Sequence, residues 1–387
     1  MNGIAILGAT GTVGRQALDV ALRQGIPVVA LGAGSNDEAL FALCLEHRPA
    51  YAAMHDVAAA RRLEVALGHA GLATQVLLGM EGLCALAALP QAACVMASIV
   101  GAAGLLPTLH AVRAGKRVLV ANKEALVMAG RMLVAEAKIH GAEIVPIDSE
   151  HNAVFQCLAA GRQGLEYIAL TASGGAVRDV PLQHLAAVTP EQACRHPNWV
   201  MGRKISVDSA TMVNKGLEVI EACVLFDVAP EQVQVVLHPE SIIHALVGFV
   251  DGSVLAQLAH PDMRIPIAQA LAFPGRAPSG VPPLTAQRLG TLRFEDIDPG
   301  RYPALPLCLE AARHGALAPL VLSAANEVAV EAFLAGRLPF TGIASVLEIM
   351  MDRALGRHGE PKTVDDLLAL DELVRSEART LLARFAA

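Results

Sequence analysis

Apolar positions along the chain follow two different rhythms. Through the first third, short and nearly continuous apolar runs alternate with stretches of helical spacing. Gly3–Leu7, Pro27–Leu31, Cys94–Ile99 and Arg117–Ala121 are such runs, and Glu143–Ile147 is another. A strand covered on both faces reads as an unbroken apolar run, so these segments predict a parallel sheet. Arg15–Gln24 and Glu38–His47 carry helical periodicity between them. Strand and helix in alternation predict a doubly wound α/β layer.

From about Ser149 to Pro274 the rhythm changes. Tyr167–Thr171, Val233–Leu237, Ala245–Phe249 and Val254–Leu258 read as strands among helices, which predicts an α+β region. Pro274–Pro283 is rich in proline and glycine, and irregular sequence continues to about Pro303, so this stretch reads as a linker. From about Leu305 the pattern is helical, including Val321–Ala335 and Asp365–Phe385, and predicts a terminal bundle. The expected fold class is therefore α/β: a Rossmann-like first domain, an α+β middle and a C-terminal helical bundle.

Composition changes this picture little. The chain has 387 residues, 54% hydrophobic and 17% charged, which favours several globular domains over a disordered chain. Mean hydropathy is positive at +0.46. Apolar runs such as Ala92–Leu106 are too short and too broken by glycine to span a bilayer, so no membrane partner is expected. A net charge of −7 argues against a nucleic-acid partner. The seven cysteines are scattered, odd in number and never spaced C-x-x-C. That excludes a disulfide framework and points to buried thiols in the cytoplasm. No basic leader followed by an apolar segment opens the sequence.

The candidate chemistry begins at Gly8-Ala9-Thr10-Gly11-Thr12-Val13-Gly14, between a strand and a helix. Glycines there allow a tight turn and bring backbone N–H groups up to a pyrophosphate at the helix N-terminus. A glycine turn alone does not require a ligand, but its position in a strand–helix unit fits dinucleotide binding. An NAD enzyme usually places a carboxylate at the end of the second strand. Here Leu31-Gly32-Ala33-Gly34-Ser35-Asn36 has none before Asp37, which favours NADP.

Asp148-Ser149-Glu150-His151 follows the fifth apolar run. Carboxylates two residues apart at a strand end point the same way, and hard oxygen ligands suit Mg²⁺ or Mn²⁺. An isolated D-x-E is more often a solvated loop or a helix cap. The segment from His196 to Glu218 shifts that balance. Ser209 onward reads as one helix, with Asn214 and Glu218 a turn apart on one face and Lys215 beside them. The single tryptophan, Trp199, sits in the polar loop before it, which suits a lid over a substrate better than a core. Ser173-Gly174-Gly175 supplies further donors, and with Lys215 as a point charge the set can hold a phosphate.

These segments closely resemble the 1-deoxy-D-xylulose 5-phosphate reductoisomerase family. The matching motifs are LGATGTVG, SIVGAAGL, ANKEALV, PIDSEHNAVFQCL, TASGGAVRD, HPNWVMGRKISVDSATMVNKGLEVIEA, HPESIIHALV, DGSVLAQLAHPDMRIPI and SAANEVAVEAFL, in order from residue 7 to residue 334. The tryptophan-to-glutamate motif is highly specific, whereas the glycine loop alone is not. The resemblance implies that Asp148, Glu150 and Glu218 bind a divalent metal (Mn²⁺, Mg²⁺ or Co²⁺), and that Lys123 and Ser149 hold the substrate backbone. Ser173, Ser209, Asn214 and Lys215 would bind its phosphate, and His196, Trp199 and Met201 would form the lid. Gly8, Thr10, Gly11, Thr12 and Val13 would line the NADPH diphosphate, with Gly34, Ser35 and Asn36 near the 2′-phosphate. Asn122, Lys123, Glu124 and Gly202 would lie on the cofactor side. Residues 1–148 would be the NADPH domain, 149–274 the catalytic and dimerisation domain of a homodimer, 275–303 a linker and 304–387 the helical domain.

Two departures stand out: family members often carry Lys or Arg at the position of Ser35, and a Gly-x pair in place of Ala259-His260. Loss of the cation is expected to weaken 2′-phosphate binding. The implied reaction is metal-assisted rearrangement of a small phosphorylated sugar followed by hydride reduction, with Glu150 moving protons and Lys123 stabilising charge. A semialdehyde oxidoreductase with the same glycine loop would need a catalytic cysteine or lysine in place of the carboxylate set. None of the cysteines sits in a comparably polar loop. A nucleotide sensor would need no such set. His238 and His244 are expected to be satisfied structural residues, and Asn326 and Glu327 packing or capping residues.

Overall fold

The computed structural model describes residues 3–199 and 201–383. Eleven strands form two sheets among the described residues. β1 (Ile4–Leu7), β2 (Val28–Ala33), β3 (Tyr51–Met54), β4 (Gln75–Leu78), β5 (Cys94–Ala97), β6 (Arg117–Val120) and β7 (Glu143–Pro146) make one sheet. β8 (Leu165–Ala172), β9 (Val233–Leu237), β10 (Ile243–Phe249) and β11 (Val254–Leu258) make the other. The chain divides into two units. One comprises Met1–Ala125, Arg131–Asn152 and Asp262–Pro283, and the other Leu126–Gly130, Ala153–Pro261 and Leu284–Ala387.

The first unit holds the seven-stranded sheet, in the order β4-β3-β2-β1-β5-β6-β7. Neighbouring strands are parallel throughout. Ile4, Ile6 and Leu7 of β1 are 0–1% exposed, and each contributes roughly 1.5–3 kcal/mol by leaving water. The strand order reverses direction between β1 and β5, where Leu7 pairs with both Gly32 and Ala97. Crevices at the carboxyl ends of strands beside such a switch point are where open α/β sheets bind ligands. β3 and β4 go beyond the strands the apolar runs predicted.

In the second unit β8 pairs parallel with β9 and antiparallel with β10, leaving β11 at one edge. Val219, Ala222 and Phe226 of the helix Val213–Phe226 pack with Ile168 and Leu170 of β8 and Ala245 and Val247 of β10. A Cβ on Gly216 of that helix would lie 2.2 Å from the Cβ of Cys308, so glycine is what lets the helix Ala304–Arg313 approach. Helices Leu317–Leu334, Gly342–Leu355 and Val364–Leu382 complete the bundle. The end of the helix read as Asp365–Phe385 lies outside the described residues.

Three readings need correction. Leu317–Leu334, 18 residues with hydropathy 1.5, is long and apolar enough to cross a membrane; 83% of it is buried, as befits the bundle's central helix. The helix expected from Ser209 onward is two helices, Arg203–Thr211 and Val213–Phe226, separated by Met212 at φ 63° and ψ 8°. A left-handed L residue costs roughly 1–2 kcal/mol. Met212 is 2% exposed, so burial of its side chain offsets that cost. Finally, Cys194 and Cys223 are partly exposed, while the other five cysteines are buried as expected.

Candidate active site

The glycine loop is built as its spacing requires. Gly8 has φ +84° and a Cβ there would lie 2.4 Å from the Ser98 carbonyl oxygen, so only glycine fits the turn. A Cβ on Gly14 would lie 2.3 Å from the Gly8 oxygen, which lets the helix Thr12–Arg23 start against the loop. The N–H groups of Gly8 and Ala9 both bond the Gly32 oxygen at 2.9 Å. Gly11, the residue before the helix, provides no side-chain cap, so the first-turn N–H groups stay available for an anion. Thr10, Thr12 and Val13 line this turn.

At the end of β2, the Asn36 side chain accepts the Ala39 N–H at 2.9 Å and so caps the helix Asp37–His47. Ser35 is exposed, and nothing lies within 4 Å of a Cβ built on Gly34. Asp37, the first carboxylate after the strand, is paired with Arg62 at 2.6 Å, a partner 25 residues away that the sequence did not reveal. Asn122 caps the helix Lys123–His140 by accepting the Ala125 N–H at 2.9 Å. Its amide nitrogen donates to the carbonyls of Ile99 and Gly101, which fastens the loop after β5. Glu124 is buried beside it in sequence.

The acidic pair is arranged differently from a strand end. β7 stops at Pro146, Ser149 opens the helix Ser149–Cys157, and the Asp148 carbonyl accepts the Asn152 N–H at 2.8 Å. Asp148 and Glu150 thus flank a helix start, where the dipole favours carboxylates. Lys123 Nζ lies 2.8 Å from Asp148 Oδ2, and Ser149 donates its hydroxyl to Glu150. Asn152, bonded to the Pro146 oxygen at 3.0 Å and to Gln269 at 2.8 Å, anchors the turn; its place in the sequence carried no signal for this.

The second unit carries the other group. Beyond the left-handed Met212, Asn214 and Lys215 both donate to the Glu218 carboxylate. Lys215 and Glu218 are 4% and 1% exposed. Ser209 lies in the last turn of the preceding helix, whose Asp208 is held by Lys204 at 2.9 Å and by Asn326 at 2.8 Å. Asn326 is therefore a buried packing residue, and Glu327 is a partly exposed one paired with Arg375 at 3.0 Å.

His196 settles its own tautomer. Its Nδ1 accepts the N–H groups of Asn198 and Trp199 at 3.2 and 3.0 Å, so the ring proton sits on Nε2. Nε2 donates to Ser173 Oγ at 2.8 Å, and the Gly175 N–H donates to the same oxygen at 3.1 Å. With both lone pairs engaged, the Ser173 hydroxyl is left to act as a donor. Burial pushes His196 down to about 4 from an ordinary 6.5, consistent with a neutral ring. Asn198 ties the loop to Pro239 and Ser241 at 2.7 and 2.8 Å. Trp199 meets His244 edge-on, ring centres 6.0 Å apart, and Met201 and Gly202 lead into the helix Arg203–Thr211. His238 is satisfied: Nδ1 bonds the Arg293 oxygen at 2.8 Å and Nε2 accepts the N–H groups of Ile242 and Ile243.

The predicted residues thus fall into two groups. Gly8 to Val13, Gly34 to Asn36, Asn122 to Glu124 and Asp148 to Glu150 belong to the first unit, and Ser173, His196, Trp199, Met201, Gly202, Ser209, Asn214, Lys215 and Glu218 to the second.

Comparison with known proteins gives one answer along the chain. Residues 4–130 match the model of 1-deoxy-D-xylulose 5-phosphate reductoisomerase, 144–226 that of its C-terminal domain, and 258–377 a DXP reductoisomerase C-terminal domain. The 1-deoxy-D-xylulose 5-phosphate reductoisomerase of Pseudomonas syringae pv. tomato is 54% identical over 98% of this chain and 96% of its own length. That of Ectopseudomonas mendocina is 54% identical over 98% of each. A DOX-P reductoisomerase crystallised with NADPH, fosmidomycin and magnesium superimposes with TM-score 0.95 at 43% identity, over 99% of this chain and 98% of the other. The Zymomonas mobilis enzyme, solved with NADPH, gives 0.90 at 40% identity over 98% of both. With models matched through all three parts of the sequence and relatives alike end to end, the chain belongs to the 1-deoxy-D-xylulose 5-phosphate reductoisomerase family.

Proposed function

We propose that this chain is a metal-dependent reductoisomerase. It rearranges the carbon skeleton of 1-deoxy-D-xylulose 5-phosphate and reduces the resulting aldehyde with NADPH to 2-C-methyl-D-erythritol 4-phosphate, within isoprenoid precursor biosynthesis by the non-mevalonate route. One observation carries the reading: in a chain of this family, Lys215 and Glu218 form a buried ion pair near the start of a helix, with half-buried Asn214 also donating to the Glu218 carboxylate. Burying a carboxylate and an ammonium together is costly. A site that must hold both a cation and a phosphate accounts for their retention.

Asp148, Glu150 and Glu218 are assigned as metal ligands. The donor set supports this: all are carboxylates suited to Mg²⁺ or Mn²⁺, and in the fold Asp148 and Glu218 each already face a lysine ammonium. A bound divalent ion would supply Lewis-acid polarisation of the substrate carbonyl and neighbouring hydroxyl. NADPH, received by the Gly8–Val13 cradle with Gly34, Ser35 and Asn36 towards its 2′-phosphate, would supply the hydride. Asn122, Lys123, Glu124 and Gly202 are assigned to the cofactor side.

The remaining chemistry belongs to the side chains. Ser173, whose hydroxyl His196 and Gly175 leave as a donor, binds the substrate phosphate with Ser209, Asn214 and Lys215. Fixing that remote end turns binding energy into orientation of the reacting carbons. Ser149 holds the substrate backbone and steers the Glu150 carboxylate, which moves the hydroxyl proton. Lys123 stabilises negative charge developing beside Asp148. The loop bearing His196, Trp199 and Met201 excludes water.

A homodimer, formed through the region 149–274, fits the exposed apolar edge of the second sheet: Val250, Val254 and Leu255 are 74%, 47% and 41% exposed. We assign residues 1–148 to NADPH binding, 275–303 to a linker and 304–387 to a helical domain, and the protein to the cytoplasm. The free thiols support that compartment. Incubation with substrate, NADPH and Mg²⁺ followed by NMR of the product tests the reaction. Methylerythritol phosphate is expected, and unchanged substrate would refute the assignment.

A further inference from the structure

Arg62 stands on the helix Val57–His69, which carries none of the residues assigned to the reaction. Its guanidinium grips Asp37 at two points, Nη2 to Oδ1 at 2.6 Å and Nε to Oδ2 at 3.0 Å. Asp37 directly follows the Gly34-Ser35-Asn36 loop, and the backbone holds the neighbouring loop against it. The His55 N–H bonds the Ala33 oxygen at 3.0 Å, and the Asp56 N–H bonds the Gly34 oxygen at 3.2 Å. Three carboxylates, Asp37, Asp56 and Glu38, act on the Arg62 charge. Residues Leu31 to Asp37 contain no cation. The Arg62 side chain is 59% exposed, and its Nη1 hydrogens have no acceptor among the described residues.

We propose that Arg62 is the residue that makes the Gly34–Asn36 loop select a 2′-phosphate over a 2′-hydroxyl. The inference rests on the NADPH reading above. Arg62 cancels the carboxylate that would repel the phosphate, and its Nη1 donors stay unused beside the residue that follows the loop. Asp37 freed of its partner would instead favour the 2′-hydroxyl of NADH, as an acidic residue at this strand end does in NAD enzymes.

Equilibrium binding of NADPH and of NADH to the full chain, followed by nicotinamide fluorescence, tests this without turnover. Arg62→Ala should weaken NADPH by about tenfold or more and change NADH by less than about threefold. Arg62→Lys should keep most of the selectivity, and Arg62→Ala with Asp37→Asn should recover part of the loss. Equal weakening of both nucleotides, or NADPH affinity unchanged in Arg62→Ala, would overturn the proposal. Wild-type protein that binds NADH as tightly as NADPH would overturn the NADPH reading beneath it.

Discussion

His196 Nε2 lies 2.8 Å from Ser173 Oγ while two backbone N–H groups occupy its Nδ1, so the ring is held as a neutral donor. Charging it would place a proton on Nδ1 against those N–H groups. Burial depresses the folded value to about 4, below the ordinary 6.5. The unfolded chain therefore binds more protons between those values, and stability falls as pH drops through that window. Stability should decline from about pH 6.5 towards 4 by way of this ring, whereas substrate affinity should hold until the folded ring itself takes a proton near pH 4. His196→Ala should lower substrate affinity by about tenfold, the worth of one good hydrogen bond, and flatten the acid limb in denaturant titrations. An unchanged acid limb in the variant would contradict the assignment.

The Lys215–Glu218 pair makes a separate prediction. Lys215→Met removes the ammonium beside a carboxylate that is 1% exposed. The expected cost is about 3–5 kcal/mol, as for breaking a buried ion pair from one side. Adding Glu218→Met should return most of that stability by urea denaturation and leave an inactive protein. If the double variant is no more stable than Lys215→Met alone, the pair is not coupled as described.

The glycine loop predicts a contrast between two similar substitutions. Gly14→Ala would set a Cβ 2.3 Å from the Gly8 oxygen, whereas Gly34→Ala meets nothing within 4 Å. Gly14→Ala should abolish measurable NADPH binding, and Gly34→Ala should fold with a melting temperature near wild type. Intact NADPH binding in Gly14→Ala would show that the cradle has another geometry.

Much of this was legible from residues. Continuous apolar runs located five strands of the first sheet because buried parallel strands leave no polar face. β3 escaped because Tyr51-Ala-Ala-Met54 is short and small, and β4 because Gln75 and Leu78 at the sheet edge are exposed. The break at Met212 has no sequence mark, since neither glycine nor proline makes it. Site residues were found by residue type and motif. The contacts that aim them (Asn152 on Gln269, Asn198 on Ser241, Arg62 on Asp37) join residues 25 to 117 positions apart, which periodicity does not report.

The central claim is tested most directly by following NADPH oxidation by purified protein with 1-deoxy-D-xylulose 5-phosphate, with and without Mg²⁺ or Mn²⁺. The account predicts oxidation that requires substrate and metal together and is lost in Glu218→Gln. Folded, metal-loaded protein that leaves NADPH unoxidised, or oxidation indifferent to the metal, would contradict it.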